Sequence, residues 1–100
     1  MSKTSTFIYV LNLARRETLE RMSPEEEAII DEHFEYLMRG LTADKLILAG
    51  RCLDGEFGIV VFCADDEKHA KEFMENDPAV KSRIMTAELH PFRIALIQKD

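Results

Sequence analysis

Phe73-Met74-Glu75-Asn76-Asp77-Pro78-Ala79-Val80, followed by Ile84-Met85-Thr86-Ala87-Glu88-Leu89-His90-Pro91-Phe92, is the stretch that decides the fold. Its first part is the end of a helix from Asp66 to Asn76, stopped at an Asp-Pro step because the residue before a proline is pushed out of the helical region. Its second part opens a long apolar strand from Arg83 to Gln98. The apolar residues are odd-numbered at Met85, Ala87 and Leu89, then even-numbered at Phe92, Ile94 and Leu96. That phase change at His90-Pro91 predicts a β-bulge or a bend. Asp77 is thereby fixed at a corner, passed by the helix on one side and by the following segment on the other.

Working back from this corner, Asp65 is the expected cap of the helix, which should bury Ala70, Phe73 and Met74. Before it, Lys45 to Leu53 and Phe57 to Ala64 read as two strands of a hairpin around Asp54-Gly55, a dipeptide that favours tight turns. This hairpin places residue 52 opposite 57 and residue 46 opposite 63. The two cysteines, Cys52 and Cys63, are then roughly 20 Å apart at about 3.3 Å per residue, far beyond disulfide reach. They read as free thiols and small buried apolar residues. Further back, Ser23-Pro24-Glu25-Glu26 announces a helix, with Ser23 as cap, Pro24 in the first turn and Glu26 at the capping-box position. That helix should run to Arg39, with Gly40 available to end it, and bury Ile30, Phe34, Leu37 and Leu41, flanked by Ile29 and Met38. Residues 14–22 are a polar connection with room for a short helical turn, and Thr6 to Leu13 is the first strand.

The order β-α-β-β-α-β is the ferredoxin-like split arrangement, an α+β fold with a four-stranded antiparallel sheet and two helices on one face. The strands are apolar on both faces. Phe7, Tyr9, Leu11 and Leu13 oppose Ile8 and Val10; Ile59, Val61 and Cys63 oppose Val60 and Phe62. Two helices cover one face, so the other needs cover from outside the chain. A second copy is the simplest cover, since two-fold homodimers dominate soluble oligomers. Two sheets meeting face to face would enclose an α/β barrel.

One hundred residues, 46% of them hydrophobic and 32% charged, make one domain of globular composition. The net charge of −6 and the scattered basic residues, with Arg15-Arg16 the one basic doublet, argue against nucleic acid or an anionic membrane as partner. No apolar run approaches the ~18 residues of a membrane span and no charged-then-apolar leader opens the chain, so a cytoplasmic protein is expected. No paired Cys or His at short spacing suggests a zinc site, and no phosphate loop, dinucleotide fingerprint or Ser-His-Asp order appears, so no cofactor is expected.

Four stretches resemble the YCII-related (YciI-like) family of the dimeric α/β barrel superfamily. They are His33-x-x-Tyr36-Leu37 in the first helix, Lys45-Leu46-Ile47-Leu48-Ala49-Gly50 in the second strand, Asp77-Pro78, and the strand around His90-Pro91-Phe92. The resemblance implies a ferredoxin-like dimer with a His and an Asp in a pocket. It also makes small ring compounds conceivable substrates, since a relative is a dehydrochlorinase of chlorinated hydroxyhydroquinones and the superfamily includes muconolactone isomerase. Family members often read Ala-Gly-Pro where this chain reads Ala49-Gly50-Arg51.

His33 and Asp77 form the candidate catalytic pair. Imidazoles titrate near neutrality and suit proton transfer there, and a carboxylate on one ring nitrogen fixes the tautomer. The plain alternative is a helix histidine bonded to a turn-forming aspartate. Arg51 is a candidate anion anchor or else a hairpin-end surface residue. Tyr9 is a candidate ligand contact in the barrel or else an interface aromatic, and His90 a candidate ligand contact or else a bent-strand residue. The functional expectation is a cofactor-independent enzyme on a small molecule, an isomerase, lyase or dehydrochlorinase; the alternative is a non-catalytic small-molecule-binding or assembly module.

Overall fold

The computed structural model describes residues 5–14 and 21–98. Four strands, β1 (Ser5–Leu13), β2 (Leu46–Arg51), β3 (Gly58–Ala64) and β4 (Met85–Pro91), alternate with helices α1 (Pro24–Thr42), α2 (Glu67–Glu75) and a short α3 (Pro78–Lys81). The strands form one antiparallel sheet in the order β2-β3-β1-β4, with the helices on one face. This is the ferredoxin-like arrangement with a third, four-residue helix added in the last connection. The connection 14–22, including Arg15-Arg16, lies mostly outside the described residues.

The core sits between sheet and helices. Phe7, Tyr9 and Leu11 of β1, Val60 and Phe62 of β3, and Leu46 of β2 meet Leu37 of α1 and Ala70 and Met74 of α2. An aromatic cluster fills its centre. Phe62 and Phe73 lie 4.7 Å apart between ring centroids, Tyr9 meets Phe62 edge-on at 5.6 Å, and Tyr36 stacks on Phe73 at 5.0 Å. Ile8, Val10, Ile59 and Val61 alternate with these residues onto the opposite face.

Local signals place the helix starts. At α1, Ser23 accepts from the Glu26 N–H and Glu26 accepts from the Ser23 N–H, the reciprocal capping box. The α2 cap is Asp66, one residue later than expected, with its carboxylate accepting from the His69 N–H at 2.8 Å. Pro78 does not simply stop a helix. Asn76 closes α2, and Asp77-Pro78 opens α3 as cap and first residue.

The expected end of α1 at Gly40 is also corrected. Gly40 lies buried inside the helix, where a Cβ would sit 3.4 Å from the Phe73 ring and 3.5 Å from Leu46. Its small size lets α1 press on that side. The core-facing side is therefore Tyr36, Leu37 and Gly40 with His33, while Phe34 is 65% exposed and Met38 and Leu41 also face outward. The helix ends two residues beyond Gly40, at Thr42, with Ala43 as cap and Asp44 in the left-handed region at φ 63°. Lys45 N–H bonds Gly40 O and Asp44 N–H bonds Leu41 O, the paired bonds of a Schellman motif.

The hairpin turns as predicted, with Cys52 N–H on Phe57 O at 2.7 Å and Gly55 at φ 80°, a backbone glycine accepts freely. Its register holds from Arg51↔Gly58 to Leu48↔Val61, then shifts by one at Ile47, so Leu46 pairs with Phe62 rather than Cys63. Both cysteines are free and half-buried, less enclosed than expected. In β4 there is no bulge. Its pairing with β1 is unbroken from Leu13↔Met85 to Phe7↔Pro91, and one further bond joins Phe92 N–H to Thr6 O. Regular pairing nevertheless ends at Pro91, at the expected phase change, although in this register residue 93 would still face Ser5 of β1. Residues 92–98 carry no regular element.

Candidate functional site

Asp77 is the one charged side chain in the core of the described residues, with 0% exposure. Its position follows from α3: as cap residue it turns its carboxylate back over the first turn, and Oδ1 accepts from the Ala79 N–H at 2.9 Å. Oδ2 accepts from the Tyr9 hydroxyl at 2.7 Å. His33 Nδ1 stands 2.6 Å from Oδ1. A carboxylate only accepts, so Nδ1 carries the proton of that bond and Nε2 is the free ring nitrogen. Three elements, β1, α1 and α3, thus converge on one carboxylate, which is fully satisfied as a buried charge must be.

Burial together with the Asp77 charge holds the Tyr9 phenol far above its ordinary range. Tyr36, donating to the Phe73 carbonyl at 2.7 Å, is pushed up to about 12 by burial first and by Asp77 second, with Arg39 opposing. Both phenols stay neutral donors around the site.

His33, with 12% of its side chain exposed, also lines a cavity of about 590 Å³ beside the β2–β3 hairpin. Its other walls are largely apolar, including Leu11, Ile30, Phe34, Ile59 and Met85, and Arg51 and Cys52 stand on its hairpin side. The volume lies in the usual range for small-molecule sites. Among the described residues no cluster of three His, Cys, Asp or Glu side chains is spaced for a metal ion.

The structure therefore brings His33, Asp77 and Tyr9 together, and His33 and Arg51 to one cavity. Tyr9 stands corrected as a ligand contact or interface aromatic. It is fully buried on the helix-covered face, behind Asp77, because odd-numbered residues of β1 point to the helices. His90 pairs with Ile8 on the face the helices leave uncovered, with its Nε2 3.4 Å from Glu88, and is not among the described residues lining this cavity. The sequence reading missed Tyr36 and the Ala79 amide. The Asp-Pro pair carried the same signal as Ser23-Pro24, a cap followed by a first-turn proline, and would have revealed the amide.

The model of the YCII-related domain matches residues 7–93. The chain belongs to the YCII-related family. Solved structures with the same fold include the 5-chloro-2-hydroxyhydroquinone dehydrochlorinase TftG of Burkholderia phenoliruptrix, in complex with 2,5-dihydroxybenzoquinone. It is 18% identical with a TM-score of 0.65, over 87% of this chain and 93% of that one. SnoaB of Streptomyces nogalater, a cofactor-independent oxygenase, aligns over 99% of this chain and 100% of its own at 12% identity and a TM-score of 0.50. The likeness is one of fold: this YCII-related chain shares their ferredoxin-like α+β arrangement. No curated protein matches the sequence. No helix among the described residues is long and apolar enough to cross a membrane.

Proposed function

We propose that this chain is a cofactor-independent enzyme on a small molecule, with His33 as general base and acid and Asp77 as its orienting partner. One observation carries the reading: a fully buried carboxylate bonds His33 Nδ1 at 2.6 Å while the same imidazole lines a cavity. Nε2 takes a proton from a hydroxyl or activated C–H of the substrate. The imidazolium so formed is balanced by Asp77, and Nε2 returns the proton to a leaving group or to another substrate atom. Such a shuttle serves isomerisation and elimination alike. The dehydrochlorinase of the same fold makes chlorinated and hydroxylated ring compounds the first substrates to try.

The reading includes a homodimer. The sheet face carrying Ile8, Val10, Ile59 and Val61 is left uncovered by the helices, and a second copy of the same face would cover it. Sedimentation at micromolar concentration should give twice the chain mass; a monomer there would remove the dimer from the proposal.

The experiment is a turnover panel of halogenated hydroquinones and small hydroxylated lactones, read by chloride release and ultraviolet absorbance. His33→Ala should lower turnover at least about a hundredfold with its circular dichroism intact. In the ligand-free protein, imidazole nitrogen NMR of the neutral ring should show Nδ1 protonated and Nε2 bare. A bare Nδ1, or an undiminished His33→Ala, would defeat the catalytic assignment. The three bonds that lock Asp77 also favour a second reading, a non-catalytic binding or assembly module in which the pair pins α1 to the α2–α3 corner. In that case His33→Ala lowers stability and leaves ligand binding intact.

A further inference from the structure

We propose that the cavity takes a small monocarboxylate with an apolar body, the carboxylate held by Arg51. This names the ligand class of the site proposed above and rests on that reading of the cavity. The charge on its walls is the first argument. The chain has 19 acidic and 13 basic residues, yet among the described residues no Asp or Glu lines this cavity; the ionisable side chains among them are Arg51, His33 and Cys52. In a protein of net charge −6, an anion entering an apolar site needs a local cation, and among the described residues Arg51 is the one supplied.

Arg51 is also uncommitted. Among the described residues no carboxylate lies within ion-pairing distance of its guanidinium, while His33, His69 and His90 each have one. The ladder leaves space around it. Arg51 pairs with Gly58, which pairs in turn with Leu11, so the middle position of this row has no side chain. Gly58 is kept small by the backbone, since a Cβ there would lie 3.1 Å from Gly50 O. At Gly50, by contrast, a Cβ would meet nothing within 4 Å, so the strand borders open space just before Arg51. Arg51, an exposed residue, thus lines the cavity beside a glycine in its row, with Leu11, Ile30 and Met85 among the apolar walls.

A guanidinium fork matches the two oxygens of a carboxylate with parallel charge-assisted bonds. A phosphate would call for more cations than these walls hold. Apolar surroundings strengthen such a pair compared with open water. The remaining walls accept a hydrocarbon or aromatic body, and His33 stands on the same cavity to act on it.

Titration calorimetry on the full chain tests this with benzoate, phenylacetate and 2,5-dihydroxybenzoate, each against its methyl ester. At least one acid should bind, with its ester at least tenfold weaker. Arg51→Gln should weaken the acid at least tenfold and leave the ester unchanged; Arg51→Lys, which keeps the charge but not the fork, should fall between. Equal binding of acid and ester, an Arg51→Gln protein that keeps the acid, or no binding of any of the three acids at millimolar concentration would overturn the assignment. Binding is read here without turnover, and the His33 tautomer without ligand. A charge-blind cavity beside a protonated Nδ1 sinks this inference alone, whereas Arg51-dependent binding beside an idle His33 sinks the enzymatic reading alone.

Discussion

Tyr9 differs from phenylalanine by one oxygen, and that oxygen holds Asp77 Oδ2 at 2.7 Å in the core. Tyr9→Phe should therefore lower unfolding free energy by about 2 kcal/mol, the scale of a hydrogen bond to a charged group. Urea denaturation measures it, and an unchanged midpoint would show that the carboxylate does not need this donor. The same environment sets an alkaline limit. The chain has two tyrosines, and the fold favours the neutral phenol of each. A pKa raised on folding gives stability that is present below the unfolded value of 10.0 and lost as pH climbs, for Tyr36 through about 12. The tyrosines' contribution to stability should thus be level up to pH 10 and fall beyond it. Phenolate absorbance should rise together with unfolding; a separate phenolate step near pH 10 in the folded protein would contradict this. His33 and Asp77 could be placed near one another from sequence, because the helix and the corner pack on the same sheet face. Tyr9 could not be, since a strand apolar on both faces does not say which face the helices take.

The elements show where local chemistry is decisive and where it is not. The Ser23-Glu26 capping box was legible because all its partners lie within four residues. The face of α1 was legible only in part. Leu37 is buried as its place in the apolar stripe predicts and Ile29 and Ile30 are half-buried, but Phe34, Met38 and Leu41 of the same stripe turn outward, because close approach at Gly40 to Phe73, 33 residues on, sets the helix's roll. The end of α1 likewise depends on Asp44, which adopts φ 63° without being glycine and adds a negative charge at a helix C-terminus. Both are unfavourable. Asp44→Gly should stabilise the protein by about 0.5 kcal/mol, the relief of left-handed strain and charge less the added freedom of the unfolded chain. Thermal denaturation would register a small rise in Tm, and a fall would mean that the Asp44 side chain makes a contribution of its own.

For the whole molecule, strand order and antiparallel pairing were legible from element order and the Asp54-Gly55 turn. The slip at Ile47 was not, since it depends on a bulge against the neighbouring strand, whereas the interruption of β4 at Pro91 was legible in the phase change at His90-Pro91. The uncovered sheet face gives a test at this scale. Val10→Asp puts a charge at its middle without touching the helix-side core. If a second copy covers that face, the variant should sediment as a folded monomer, because a buried unpaired charge is costly; a stable dimer would place the interface elsewhere. The Asp77 carboxylate also has a consequence for motion. α3 has four residues and, on its own, would fray and reclose within microseconds. Its Ala79 amide, however, is bonded to the atom that also holds His33, on the carboxylate that holds Tyr9. Exposing that amide to solvent means undoing the centre of the protein. In hydrogen exchange, Ala79 should be as slow as the amides of β1, so that one of the shortest helices reports on opening of the entire fold.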